Sequence, residues 1–108
     1  MPRLHLLPAL LLAAGFGAPV LAADAPAAVA RPAKLGLCAS CHGEDGLSRT
    51  AGTPHLAGQD EAYLRKALTD FRTGARTAAP MNAIAGTLQA KDIQALAHWF
   101  ATRPVRAK

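Results

Sequence analysis

Both cysteines of this 108-residue chain fall within five residues, Cys38-Ala39-Ser40-Cys41-His42, and this run constrains the fold most. Chance would place two cysteines three apart, with a histidine next, in about one such chain in a thousand. The pattern predicts covalent haem attachment. Two thiols three apart lie on one face of a helical turn, where each can add across one vinyl group of a porphyrin. The adjacent imidazole of His42 is then turned toward the iron. Other uses of such a pair fit less well. A redox dithiol of the thioredoxin kind needs a βαβ pattern, which is missing. A structural zinc site needs four ligands, and the remaining histidines have no paired spacing. A disulfide over two intervening residues closes too small a loop to staple a domain.

The rest of the composition calls for something that fills the middle. Past residue 22 the large apolar residues are eight Leu, two Ile, two Val, Phe71, Phe100, Trp99, Tyr63 and Met81. The β-branched aliphatics Val29, Ile84, Ile93 and Val105 are too few for a sheet core, while abundant alanine favours packed helices. A small all-α domain with so thin a core usually needs a metal, a disulfide or a large cofactor. The formal charge is +5, with basic residues scattered from Arg31 to Lys108. No basic run is interleaved with aromatics, which excludes a nucleic-acid arm. A mildly basic surface suits acidic protein partners.

Residues 1–23 read as a secretory signal peptide. Arg3 is followed by an apolar centre over residues 6–14 and by the small-residue end Val20-Leu21-Ala22-Ala23, with cleavage expected after Ala22 or Ala23. His5, Pro8 and Pro19 interrupt the stretch, so an uncleaved membrane anchor fits less well. No cysteine follows at the cleavage region to take a lipid. The expectation is export to the periplasm, with no stable membrane insertion after cleavage. Residues 24–32 form an Ala/Pro-rich lead-in, and residues 33–108 the single domain.

With His42 on one face of the iron, the second ligand is open to Met81, His55, His98 or nothing. Met81 is the one methionine after the initiator, in the run Arg76-Thr77-Ala78-Ala79-Pro80-Met81-Asn82, which reads as a loop. It lies 39 residues after His42, enough chain to pass around a haem and return on the far side. Those features favour Met81 over its ordinary role as core filler. His55 reads as a surface loop residue, and His98 stands one position off a helical apolar stripe. A His/Met pair favours reduced iron, gives a relatively high potential and leaves no open position for a substrate.

Three helices are legible. Residues 33–41 deliver the cysteines, with Leu35 and Leu37 among the apolar positions. A second helix opens at Gln59 or Asp60 and runs to Thr73, where Gly74 stops it; its stripe is Leu64, Ala67, Leu68 and Phe71. A third runs from Ala90 to Thr102 with the stripe Ile93, Leu96, Ala97 and Phe100. Between the first two, Gly43 to Gly58 reads as a long loop of the sort that wraps a cofactor.

Taken together, Cys38-Ala39-Ser40-Cys41-His42-Gly43, Asp45-Gly46, Pro54-His55-Leu56-Ala57-Gly58-Gln59, Tyr63-Leu64 and the later positions Met81, Ile84-Ala85, Leu88, Asp92-Ile93, Leu96-Ala97 and Phe100-Ala101 carry a resemblance. Over residues 33–102 the chain resembles the small class I c-type cytochromes of the bacterial periplasm, in particular one half of the two-haem forms. The resemblance implies an all-α cytochrome c-like fold of three to four short helices around one haem c, its first and last helices crossing. It implies His42 and Met81 as axial ligands, and a Pro54 carbonyl that accepts from the far nitrogen of His42. Tyr63 and Gln59 would lie near a haem propionate. Two departures stand out: Arg31 and Pro32 occupy the place of a small glycine before the first helix, and Gln89 replaces the usual Ser or Thr cap of the last.

The expected function is one-electron transfer between redox proteins met transiently, with acidic docking surfaces, and no catalysis. A haem subunit held in an oxidoreductase complex is the alternative. A haem enzyme or gas sensor would require that Met81 not ligate.

Overall fold

The computed structural model of the chain describes residues 1–3, 8–20 and 27–105. The expected cleavage point at Ala22 or Ala23 lies outside the described residues, as do Arg106 and Lys108. Residues 8–20 have no helix or strand, and Leu10, Leu11, Leu12 and Phe16 are exposed. No helix among the described residues is long and apolar enough to cross a membrane.

The described residues form four helices and no strand: α1 Leu35–His42, α2 Glu61–Thr73, α3 Met81–Gly86 and α4 Ala90–Ala101. α1 opens from a turn in which the Leu35 N–H donates to the Pro32 carbonyl at 3.1 Å. It closes at Gly43, whose N–H donates to the Ala39 carbonyl at 3.0 Å and whose positive φ then turns the chain out of the helix. Of its expected apolar positions, Leu35 is fully buried but Leu37 is exposed.

α2 has both of the ends its sequence predicts. Asp60 caps it, Oδ2 accepting the Tyr63 N–H at 2.8 Å, and Gly74 ends it in the left-handed conformation. α4 starts after Gln89, which stands in place of a Ser or Thr cap. Asp92 does the work from inside the first turn, its carboxylate accepting the Gln89 N–H at 2.8 Å.

The expectation of a loop around Met81 also needs correcting. Met81 heads α3, a helix too short to leave a periodic pattern. α3 lies against α2, and α2 against α4.

The core is formed by Leu35, Cys38, Leu64, Phe71, Ala85, Leu88, Ile93, Leu96, Ala97, Trp99 and Phe100. Both helical stripes point into it, although on α2 Ala67 and Leu68 are only half-buried. Leu35 and Leu96 are the largest fully buried side chains, each stabilising the fold by about 1.5–3 kcal/mol. α1 is tied to α4 near both ends. Lys34 Nζ lies 3.8 Å from the Asp92 carboxylate, and Trp99 Nε1 donates to the Glu44 carbonyl at 2.8 Å.

Residues just ahead of 33 also pack onto the helices. Pro32 is buried, Val29 packs on the core, and Arg31 pairs with Glu44 at 2.8 Å. The residues standing in place of a small glycine are thus seated against the loop after α1.

Candidate functional site

α1 presents Cys38, Cys41 and His42 on its last turn and a half. Both thiols are free; Cys38 is buried and Cys41 exposed. Burial pushes the Cys38 thiol up to about 11, so at neutral pH it stays protonated. His42 is the one buried polar residue among those described, 8 % exposed, and its Nδ1 lies 2.8 Å from the Pro54 carbonyl. A carbonyl can only accept, so Nδ1 carries the proton and the Nε2 lone pair is left for another partner. The tautomer of His42 is therefore set by loop backbone.

The loop from Gly43 to Gly58 is built to deliver that carbonyl. Its pivot is Gly46, whose own carbonyl accepts the N–H groups of Leu56 and Ala57 at 2.8 and 3.1 Å. Gly46 has φ +75°, and a Cβ there would stand 2.6 Å from the Ala57 nitrogen and 3.0 Å from the Phe100 ring. Only glycine fits this close approach.

Met81 is half-buried and packs against the core cluster that contains Cys38. Its neighbour Asn82 fastens the segment. Asn82 Nδ2 donates to the carbonyls of Phe71 (2.9 Å) and Arg76 (2.8 Å), and its Oδ1 accepts the Ala78 N–H at 2.8 Å. Sequence reasoning missed Asn82, because its partners lie up to 11 residues away on the end of α2 and the turn after it. The signal available was an Asn directly after a Pro-Met pair in a helix-breaking run.

The other candidates are engaged elsewhere. His55 is exposed, and its Nδ1 accepts the Ser48 N–H at 2.8 Å. His98 is exposed, with Nδ1 3.1 Å from Glu61 Oε2 across α2 and α4. Tyr63 is half exposed, while Gln59 Oε1 accepts the Asp60 N–H. Two surface clefts, of about 520 and 390 Å³, lie along α2 and α4 and beside Trp99; neither is lined by Cys38, Cys41, His42 or Met81.

The family model for Cytochrome c matches residues 30–103, a span that holds all four helices and both thiols. The chain belongs to the cytochrome c family. A 98-residue stretch is 40% identical to cytochrome c4 of Pseudomonas aeruginosa, covering 91% of this chain and 48% of that one. Over 76 residues it is 43% identical to a thiosulfate dehydrogenase electron acceptor of Stutzerimonas stutzeri, covering 69% and 35%. Among solved structures, reduced recombinant cytochrome c4 from Pseudomonas stutzeri superposes with a TM-score of 0.58 at 40% identity, covering 62% of this chain and 38% of that one. The chain spans half or less of the length of these relatives.

Membership in the cytochrome c family brings a covalently attached haem c, and the donor set fits it. Two free thiols three residues apart precede a buried imidazole whose far nitrogen is already committed to a carbonyl.

Proposed function

We propose that this cytochrome c is a one-electron carrier whose haem is attached through Cys38 and Cys41 and ligated by His42 and Met81. The observation that carries the reading is the His42–Pro54 hydrogen bond, which leaves Nε2 as a neutral donor. Haem c supplies the reversible one-electron couple. The chain's residues do the rest. Pro54 holds the His42 ring and raises its basicity. Met81 offers a soft, neutral sulfur that favours the reduced state. Asn82 keeps the Met81 backbone from swinging away, and the buried faces of α2 and α4 exclude water and lower the local dielectric.

With His42 and Met81 on its two faces the iron would have no position left for a substrate, which supports a carrier over a catalyst. The length and spacing of residues 1–23 support an exported protein acting in the periplasm, with residues 33–108 as its electron-transfer domain. By resemblance to the family, Tyr63 and Gln59 at the head of α2 would lie near a haem propionate. Redox proteins with acidic docking surfaces are the partners that suit a chain of charge +5. A second reading, a haem subunit bound in a dehydrogenase complex, is favoured by a relative from Chlorobaculum tepidum, 36% identical over 63 residues, that is named as the cytochrome subunit of sulfide dehydrogenase. Size-exclusion chromatography of the protein isolated from its native host tests the choice: a free carrier elutes alone, and a subunit elutes with an enzyme.

A further inference from the structure

We propose that His55 is a positioning residue: its imidazole Nδ1, by accepting the Ser48 N–H, holds the Pro54 carbonyl on His42 and thereby tunes the reduction potential. The inference rests on the reading of His42 as an iron ligand. It starts from a difficulty. Pro54 and His55 are both exposed, so water competes for the Pro54 carbonyl, and one neutral hydrogen bond outweighs that competition only narrowly. A backbone carbonyl in such a loop needs a second anchor to stay aimed.

His55 supplies it. The peptide unit between Pro54 and His55 is fixed on one side by the His42 contact at 2.8 Å and on the other by the His55 ring, which takes the Ser48 N–H at 2.8 Å. Ser48 sits against the end of α1: its Oγ stands 3.1 Å from the Cys41 carbonyl and 3.1 Å from the Thr50 carbonyl, its one proton shared between the two. The same Oγ accepts the Thr50 N–H at 3.1 Å. Thus Pro54-His55 is strung between two consecutive residues of α1, directly to His42 and through Ser48 to Cys41. A backbone N–H donates here, so Nδ1 must be the unprotonated nitrogen of the His55 ring. The side-chain feature that matters is an acceptor one carbon beyond Cβ.

The sign follows from ligand chemistry. A firm Nδ1–H···O bond makes the His42 imidazole more basic and stabilises oxidised iron. Slackening it shifts the couple toward the reduced state.

The test is a redox titration of the exported, haem-loaded full chain, paired with exchange of the His42 Nδ1 proton followed by NMR in the reduced state. His55→Ala is expected to shift the one-electron equilibrium toward reduction by roughly three- to tenfold, tenfold being about 59 mV for one electron. It is expected to speed exchange of that proton at least as much. His55→Asn, whose Oδ1 replaces Nδ1 as acceptor, is expected to restore both. His55→Leu is the second acceptor-free variant should His55→Ala fail to hold haem. Unchanged potential and exchange in the acceptor-free variant would overturn the inference. So would His55→Asn behaving like His55→Ala, which would mean that bulk and not the acceptor matters. The far-red sulfur-to-iron band of the unsubstituted protein reports separately on Met81: its absence removes the His/Met reading without touching His55, and its presence beside an inert His55→Ala removes only the role of His55.

Discussion

The two sides of the proposed haem site are held by different means. On the His42 side, thiols, ring and carbonyl come from residues 38–57, a short stretch in which backbone carbonyls do most of the fixing, steadied by the His55 ring: the Pro54 carbonyl on His42 and the Gly46 carbonyl on Leu56 and Ala57. On the Met81 side a single side chain, Asn82, gathers the end of α2, the turn after it and the start of α3. Backbone anchors survive most side-chain changes, whereas a side-chain anchor can be lost in one substitution. The Met81 side should therefore be the one that opens first under heat, competing ligands or mutation.

The largest effect is expected where the covalent side is broken outright. Replacing Cys38 and Cys41 together by Ala should leave a haem that acid acetone extracts, and a chain without cooperative thermal melting, because the remaining core is thin for a small domain. A haem-stained denaturing gel and a calorimetric scan check this; a sharp transition in the haem-free variant would show that α1, α2 and α4 suffice by themselves.

Breaking the other side should be milder. Met81→Ala is expected to keep haem attached while lowering the potential by at least about 59 mV, tenfold in the one-electron equilibrium. It should also let the reduced protein bind carbon monoxide. An unchanged potential with no gas binding would move the second ligand elsewhere.

Asn82→Ala sharpens the comparison. It leaves the donors and acceptors of Phe71, Arg76 and Ala78 to water and should cost about 1–3 kcal/mol. The far-red band of the oxidised protein should then vanish at a lower temperature than global unfolding, whereas in the unsubstituted protein the two are closer together. Coincident loss in both would mean that the two sides open as one unit.

Asp60→Ala is the smallest change and serves as the control. Removing the cap of α2 should cost about 1 kcal/mol in a denaturant melt, with the visible spectrum and potential unmoved. A changed potential would show that α2 transmits strain to the iron.

The same contrast explains what could be read beforehand. The cysteine–histidine run and the Asp60 and Gly74 ends of α2 are local signals, each carried by neighbouring residues with one physical meaning. The stripes of α2 and α4 are periodic and equally local. Trp99 lies beside its stripe yet is buried, because the Glu44 carbonyl satisfies its indole N–H and Arg103 stacks over the ring at 3.9 Å. No periodicity announces such a partner. α3, six residues long, escaped because its stability comes from packing on α2 and from the long-range hydrogen bonds of Asn82, and not from a periodic pattern of its own. The docking of Val29, Pro32 and Arg31 was hidden for a related reason: an Ala/Pro-rich segment has no helical pattern, and it is seated by an ion pair to Glu44 and by apolar contact with the core.

The most direct test of the central claim is the visible absorption spectrum of the exported protein, first oxidised and then reduced. His42/Met81 ligation predicts a weak far-red band in the oxidised form and sharp α and β bands on reduction. Covalently bound haem with no far-red band at neutral pH would contradict it, leaving the iron open or held by His55 or His98.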